Sequence, residues 1–281
     1  MLNVIKMDFY RMLKTKSLYI VWIILALVTV FTTYLSAEEF YDTEVQQESS
    51  QKLQDTSPDN MNLGITVTLP TEASEKVTVY DIIFANIQGK AIGIFIAIFA
   101  VIFSTADMNS GYIKNIGGQV ARRSRLVWSK EISLFLFTIL TIGIYIMVQM
   151  ISNQIFFGYL KFGDVGALIR YLLVEVLLHF TLALICMAIA MLIRNNVVSM
   201  IIAICLCMNV LMILYSAIDN LLKNIAPKNF HIINYTVTGK ISQMSMDFTN
   251  KEGAAALVVG LIFIIVMSIV SSVMFEKRDI V

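Results

Sequence analysis

Residues 17–36 read SLYIVWIILALVTVFTTYLS, and no formal charge occurs between Lys16 and Glu38. A helix needs about 20 mainly apolar residues, rising about 1.5 Å each, to cross the hydrocarbon of a bilayer. This stretch meets that length and is read as a membrane-spanning helix. A signal peptide is the rival reading, but its apolar region runs to only about 7–15 residues. The leader, residues 1–16, has apolar periodicity of its own, and Leu35-Ser36-Ala37 makes a poor cleavage sequence. The segment is expected to stay in place as a signal anchor.

The same pattern recurs along the chain. A second span is expected over 82–106; its apolar core, Ala91 to Ala106, is short, so the span takes in Asn86, Gln88 and Lys90 near one end. The third covers 131–160, with tilt or a turn near Gly158. The fourth, 171–193, contains Glu175 and His179. Only Arg194-Asn195-Asn196 separates it from the fifth, 197–218, and the sixth is 253–275. Composition agrees: 58% of residues are hydrophobic and 15% charged, against about 45–50% and about 25% in soluble domains. Mean hydropathy is +0.77. With only 3 Pro and 13 Gly, a collagen-like or Pro/Gly-rich disordered chain is excluded. The expected fold class is an all-α membrane protein. It has six transmembrane helices, an N-terminal interfacial amphipathic helix, and an outer re-entrant or amphipathic hairpin before the last helix.

The formal charge of +1 hides an asymmetry. With a cytoplasmic N-terminus, the inner side holds 12 basic residues against 5 acidic, while the outer loops hold 8 basic and 14 acidic. That is near +7 inside and −6 outside, the sense of the positive-inside rule. Both termini are therefore expected in the cytoplasm, in a multi-pass protein of the cell membrane. No basic surplus marks a nucleic-acid partner.

The segments between spans differ in character. Residues 1–16 place Ile5, Phe9, Met12 and Leu13 at helical spacing, with Lys6, Arg11 and Lys14 largely opposite. That is an amphipathic helix lying against membrane lipids. The acidic outer segment 37–81 begins with a polar stretch that continues the first helix. It also contains Ile65-Thr-Val-Thr-Leu, whose period-2 alternation reads as a short strand, and is expected to form a small outer cap. The segment 219–252 is apolar for a loop and reads as an outer amphipathic hairpin; 276–281 is an inner tail. Residues 107–130 read DMNSGYIKNIGGQVARRSRLVWSK. A short apolar patch at Tyr112, Ile113 and Ile116 is broken by Gly117-Gly118, which permit a sharp turn, and a basic cluster follows. This loop is expected to dock a cytoplasmic partner.

Catalytic signatures are missing. Gly89-Lys90 has Phe84 where a phosphate-binding Gly-x-x-x-x-Gly-Lys loop needs its first glycine, and no His-Glu-x-x-His occurs. Cys186, Cys205 and Cys207 all fall inside spans, so no outer disulfide framework is expected. No catalytic, cofactor-binding or metal-binding residue is assigned to this chain. Ionisable and polar residues within spans are the functional candidates, because exposing them to lipid is costly. Glu175 and His179 are i,i+4 and can pair, to line a path, to relay protons, or as a polar clamp. Gln149 and Asn153 share a face of span three, and Asn209 lies midway in span five; these are expected interhelical hydrogen-bond partners. Gly89, Gly93, Ala97 and Ala100 form a small-residue stripe that suits close packing within the molecule.

The order of an acidic residue and Ser-Gly-Tyr-Ile-Lys-Asn after span two, then Ser-Arg and a Lys leading into span three, resembles permeases of type-2 ATP-binding cassette exporters. So do the six spans, the N-terminal helix, the outer hairpin and the ending Phe275-Glu-Lys-Arg-Asp-Ile. The resemblance implies that Gly111, Tyr112, Ile113, Lys114 and Asn115 form the coupling helix, flanked by Arg122, Arg123 and Arg125. It implies a cytoplasmic ATP-binding cassette ATPase as partner, carrying the ATP and Mg²⁺, and a second permease copy or a paralogue. The path would run along spans one, two and five. Bacterial members of this size export antimicrobial peptides such as lantibiotics and bacitracin or give immunity to them, which implies an amphipathic peptide or lipid-like substrate. The first outer loop is longer than many such permeases carry. The alternatives are an ion-coupled secondary transporter using Glu175 and His179, an intramembrane enzyme, and a membrane sensor or scaffold.

Overall fold

In hydrocarbon the backbone groups of a segment have no water to bond, so an apolar run satisfies them internally as a helix. The computed structural model describes residues 2–41, 69–71, 75–109, 124–208, 210–223 and 230–277, and its regular elements are all helical. They are α1 (Leu2–Lys14), α2 (Lys16–Tyr41), α3 (Val79–Gln88), α4 (Ala91–Asn109), α5 (Ser124–Phe156), α6 (Val165–Ile193), α7 (Asn196–Cys207) and α8 (Leu211–Leu222). A 3₁₀ turn (Ile232–Tyr235), α9 (Val237–Gln243) and α10 (Asn250–Glu276) follow. Among the described residues α2, α5, α6 and α10 are each long and apolar enough to cross a membrane, and two bent pairs, α3–α4 and α7–α8, raise the count to six if each pair is one span. The chain is an all-α, multi-pass membrane protein.

Helix starts are set by side-chain caps, which explains where they depart from the apolar runs. The Asp164 carboxylate accepts from the Gly166 and Ala167 amides at 2.8 and 3.1 Å, so α6 begins six residues before the expected 171. Thr249 and Glu252 form a reciprocal capping box at the head of α10, as Thr78 and Asp81 do for α3. α5 begins at Ser124 rather than 131, because Arg125, Lys130 and Glu131 do not interrupt helical backbone. Its far end turns at Gly158, with φ 73°, where a turn was expected. The leader forms α1, with Met12 fully buried against the core, and α1 packs on α5 and α2.

The second and fifth spans differ most from expectation. The second is not one rod: α3 and α4 meet at 52°. At the corner the Gly89 amide still bonds the Ala85 carbonyl at 3.0 Å, whereas the Lys90 amide bonds Ile87 at 2.8 Å and Lys90 takes φ 59°. That left-handed conformation is uncommon for a residue with a Cβ. The polar residues that marked the span's end mark a corner instead. α3 buries residues around nearly its whole circumference and packs on α4, α5 and α9. The fifth span is likewise broken, α7 and α8 meeting at 67°.

At the centre stands α6, which packs against α4, α5, α7, α9 and α10. In its most apolar stretch 61% of residues are buried, against 28% in α2 and 17% in α10. The outer helices turn Ile23, Leu27 and Phe31 of α2, and Ile262, Ile265 and Ile269 of α10, outward to where lipid would lie. The small-residue stripe packs inward: a Cβ on Gly93 would lie 3.3 Å from Leu182 of α6 and 3.8 Å from Cys207 of α7. Most of the acidic outer segment, including residues 65–68 of the expected strand, lies outside the described residues.

Candidate functional site

Spacing of four residues puts Glu175 and His179 one turn apart on the same face of α6, and both side chains are fully buried. His179 Nδ1 lies 2.9 Å from the Glu175 carbonyl oxygen and 3.2 Å from its carboxylate Oε2. A carbonyl only accepts, so Nδ1 carries the proton and donates. His179 Nε2 and the other carboxylate oxygen, Glu175 Oε1, have no hydrogen-bond partner among the described residues. Tyr171 continues the stripe one turn earlier, so Tyr171, Glu175 and His179 extend along about 12 Å of the helix. The Tyr171 ring lies 5.6 Å from Phe84 and 5.8 Å from Tyr80, both on α3. Tyr80 in turn donates to the Met246 carbonyl at 2.8 Å, beside α9. The hydroxyl of Tyr171 is buried and without a hydrogen-bond partner among the described residues, and Tyr145, on α5, is buried with Asn86 of α3 beside its hydroxyl.

A second polar group joins α2 to α5. The Gln149 amide nitrogen donates to Asn153 Oδ1 at 2.9 Å and to Thr33 Oγ1 at 3.0 Å, and Thr33 donates to the Thr29 carbonyl at 2.7 Å. Trp22 Nε1 adds a bond to Thr141 at 3.0 Å nearer the other end. That Gln149 and Asn153 share a face was legible from spacing; their bond to each other within α5, and the partner Thr33, 116 positions away, were not. Replacing Gln149 with Leu is expected to remove the link to Thr33 and to cost about 1 kcal/mol. It would be read as a small fall in the unfolding temperature of detergent-solubilised protein with helix content unchanged. An unchanged unfolding temperature would show that the link contributes nothing. Asn209 lies outside the described residues.

The third group is the stem of the 107–130 loop. Gly111, Tyr112, Ile113, Lys114, Asn115, Arg122 and Arg123 fall outside the described residues. Arg125 is exposed in the first turn of α5. One turn further on, Lys130 is buried; its Nζ donates to the Phe103 carbonyl at 3.5 Å and lies 4.8 Å from the centre of the Phe103 ring. The Glu131 carboxylate accepts from Ser268 of α10 at 3.0 Å. Two adjacent charges thus tie the start of α5 to α4 on one side and to α10 on the other. Sequence reading placed Lys130 at the end of the 107–130 loop and Glu131 at the start of the third span; their position in the first turns of a helix was the available signal.

Among the described residues no three His, Cys, Asp or Glu side chains gather as a metal site would need. Away from these groups, an open cleft of about 160 Å³ is lined by Asn234, Lys240, Gln243, Ser245 and Glu252 between α9 and α10. Residues 54–281 match the profile of a family described as a protein of unknown function, DUF2705. Comparison with curated proteins gives no match.

Proposed function

We propose that this chain, which belongs to the DUF2705 family of proteins of unknown function, is the permease subunit of an ATP-driven exporter. The observation that carries the reading is the mounting of the 107–130 loop. Both its stems are continuous helices, α4 to Asn109 and α5 from Ser124, held to each other through Lys130 and Phe103. α1 packs against α5, and α5 packs on α2, α6 and α10. A push delivered to these stems moves packed helices, which is the requirement for driving alternating access from a separate motor. The basic residues concentrated in and around the loop suit a cytoplasmic partner.

In this reading the ATPase activity resides on a cytoplasmic cassette subunit, and the transmembrane part is completed by a second copy or a paralogue. The substrate is an amphipathic peptide or lipid-like molecule moved out of the cell or membrane. The protein resides in a bacterial cell membrane with both termini inside. The test is co-purification of the tagged chain with an ATPase, with Tyr112→Ala/Ile113→Asp as the disruptive variant. Wild type is expected to retain the ATPase and the variant to lose at least about 90% of it, the tenfold change that about 1.4 kcal/mol of lost binding produces. A wild-type chain that retains no ATPase, or that transports alone in liposomes, would overturn the reading.

A further inference from the structure

The proposed permease role makes no use of the Glu175–His179 pair. Geometry leaves the pair incomplete as a structural clamp. Two of its polar atoms, His179 Nε2 and Glu175 Oε1, lack a hydrogen-bond or ion-pair partner among the described residues, although both side chains are fully buried. A buried polar group without a partner is costly, and apolar residues of similar volume often serve stability as well as a buried ion pair or better. Packing therefore gives no reason for this pair.

Its surroundings supply little other charge. Between Ala91 and Ala106, α4 has no ionisable side chain, and between Glu252 and Glu276 α10 has none. From Ile132 to Phe156, α5 has only Tyr145. On α7 the ionisable groups are Cys205 and Cys207, on α9 Lys240 near the far end of the bundle, and on α6 itself Tyr171 and Cys186, with Arg170 and Arg194 exposed towards its ends. From α3, Tyr80 reaches Tyr171, and Asp81 is committed to the helix cap. Lys90 sits at the α3–α4 corner, on the side of Gly93 and Cys207. The pair's own charge then depends on the protons it holds beyond the one on His179 Nδ1: none gives −1, one gives zero, two give +1. Histidine is the side chain whose ordinary titration falls in the physiological range.

We propose that Glu175 and His179 form a proton-exchange site within the membrane, binding and releasing a proton as α6 shifts against its neighbours. This holds whether or not the chain serves an ATPase. The sequence offers a direct probe, since the chain has 2 histidines, His179 and His231. His231 is largely exposed, at 61% of its side-chain surface. Full-length protein labelled at histidine and placed in lipid nanodiscs can be titrated by NMR from about pH 5 to about pH 9, around the ordinary histidine range; His231→Gln identifies the second signal. The His179 signal is expected to change across this range, and its midpoint to move at least about tenfold, or one pH unit, in Glu175→Gln. A His179 signal that stays fixed across the range overturns the proposal, as does a titration identical in Glu175→Gln. Should Glu175→Gln not fold, the titration of the chain with its native Glu175 decides alone.

Discussion

Replacing His179 with Leu is expected to destabilise the folded protein by about 3–5 kcal/mol, the cost of breaking a buried pair by removing one member. The Glu175 carboxylate is fully buried, and His179 is the one ion-pair partner it has among the described residues. Without the imidazole, it must be accommodated as an unpaired group among apolar side chains of the most buried helix. At about 2–4 °C per kcal/mol, the midpoint of thermal unfolding in detergent should fall on the order of 10 °C. The double variant Glu175→Leu/His179→Leu removes both polar groups, and apolar side chains of similar volume replace buried pairs with little or no loss. It should recover most of the stability, so the double-mutant cycle separates coupling from mere loss of volume. If the double variant instead falls by the sum of the losses of Glu175→Leu and His179→Leu, the two side chains do not act as a pair.

The other large effect is expected at Gly239→Ala, where a single methyl group is added. A Cβ at Gly239 would overlap the Ile233 carbonyl oxygen and lie 2.6 Å from Ile233 Cγ1 and 2.7 Å from Thr236 Oγ1. The carbonyl belongs to the 3₁₀ turn, and Thr236 is the N-cap of α9, its Oγ1 accepting from the Gly239 amide at 3.2 Å. Backbone and cap cannot yield as a flexible side chain does, so the first turn of α9 must move. α9 packs against α3, α6 and α10, so the displacement loosens one end of the bundle. Overpacking of this kind costs about 1–3 kcal/mol and occasionally more; fixed neighbours place this site at the upper end. Thermal unfolding should shift down accordingly, with faster tryptic cleavage at Lys240 and Lys251. Unchanged unfolding and cleavage would show that the turn accommodates the methyl group.

How much of this was legible in the sequence depends on the range of the forces involved. The bodies of α2, α5, α6 and α10 follow from uncharged runs long enough for a bilayer, because the lack of hydrogen-bonding solvent dictates helix wherever such a run crosses it. The i,i+4 placement of Glu175 and His179, and that of Gln149 and Asn153, are likewise local properties of one helix. Helix starts depended on single capping residues such as Asp164. The corner at Gly89-Lys90 depended on packing around α3, which no count of apolar residues registers. Thr33 under Gln149, and Phe103 and Ser268 beside Lys130 and Glu131, are contacts between distant parts of the chain and leave no periodic trace. The role of residues 111–115 rests on their sequence, since they lie outside the described residues.

Helix α5 is longer than a bilayer requires. Its 33 residues make a rod of about 50 Å, well beyond the roughly 30 Å of hydrocarbon even at an ordinary tilt of about 20°. From Ile132 onward the helix is by itself long enough to cover the apolar slab, so its charged first two turns are the length in excess of it. They form a stalk of about 12 Å on which the loop from α4 is mounted. Bilayer thickness thereby becomes a control variable. A thicker membrane would sink the stalk towards its headgroups, a thinner one would raise it, and any partner gripping the loop would meet it at a height set by the lipid.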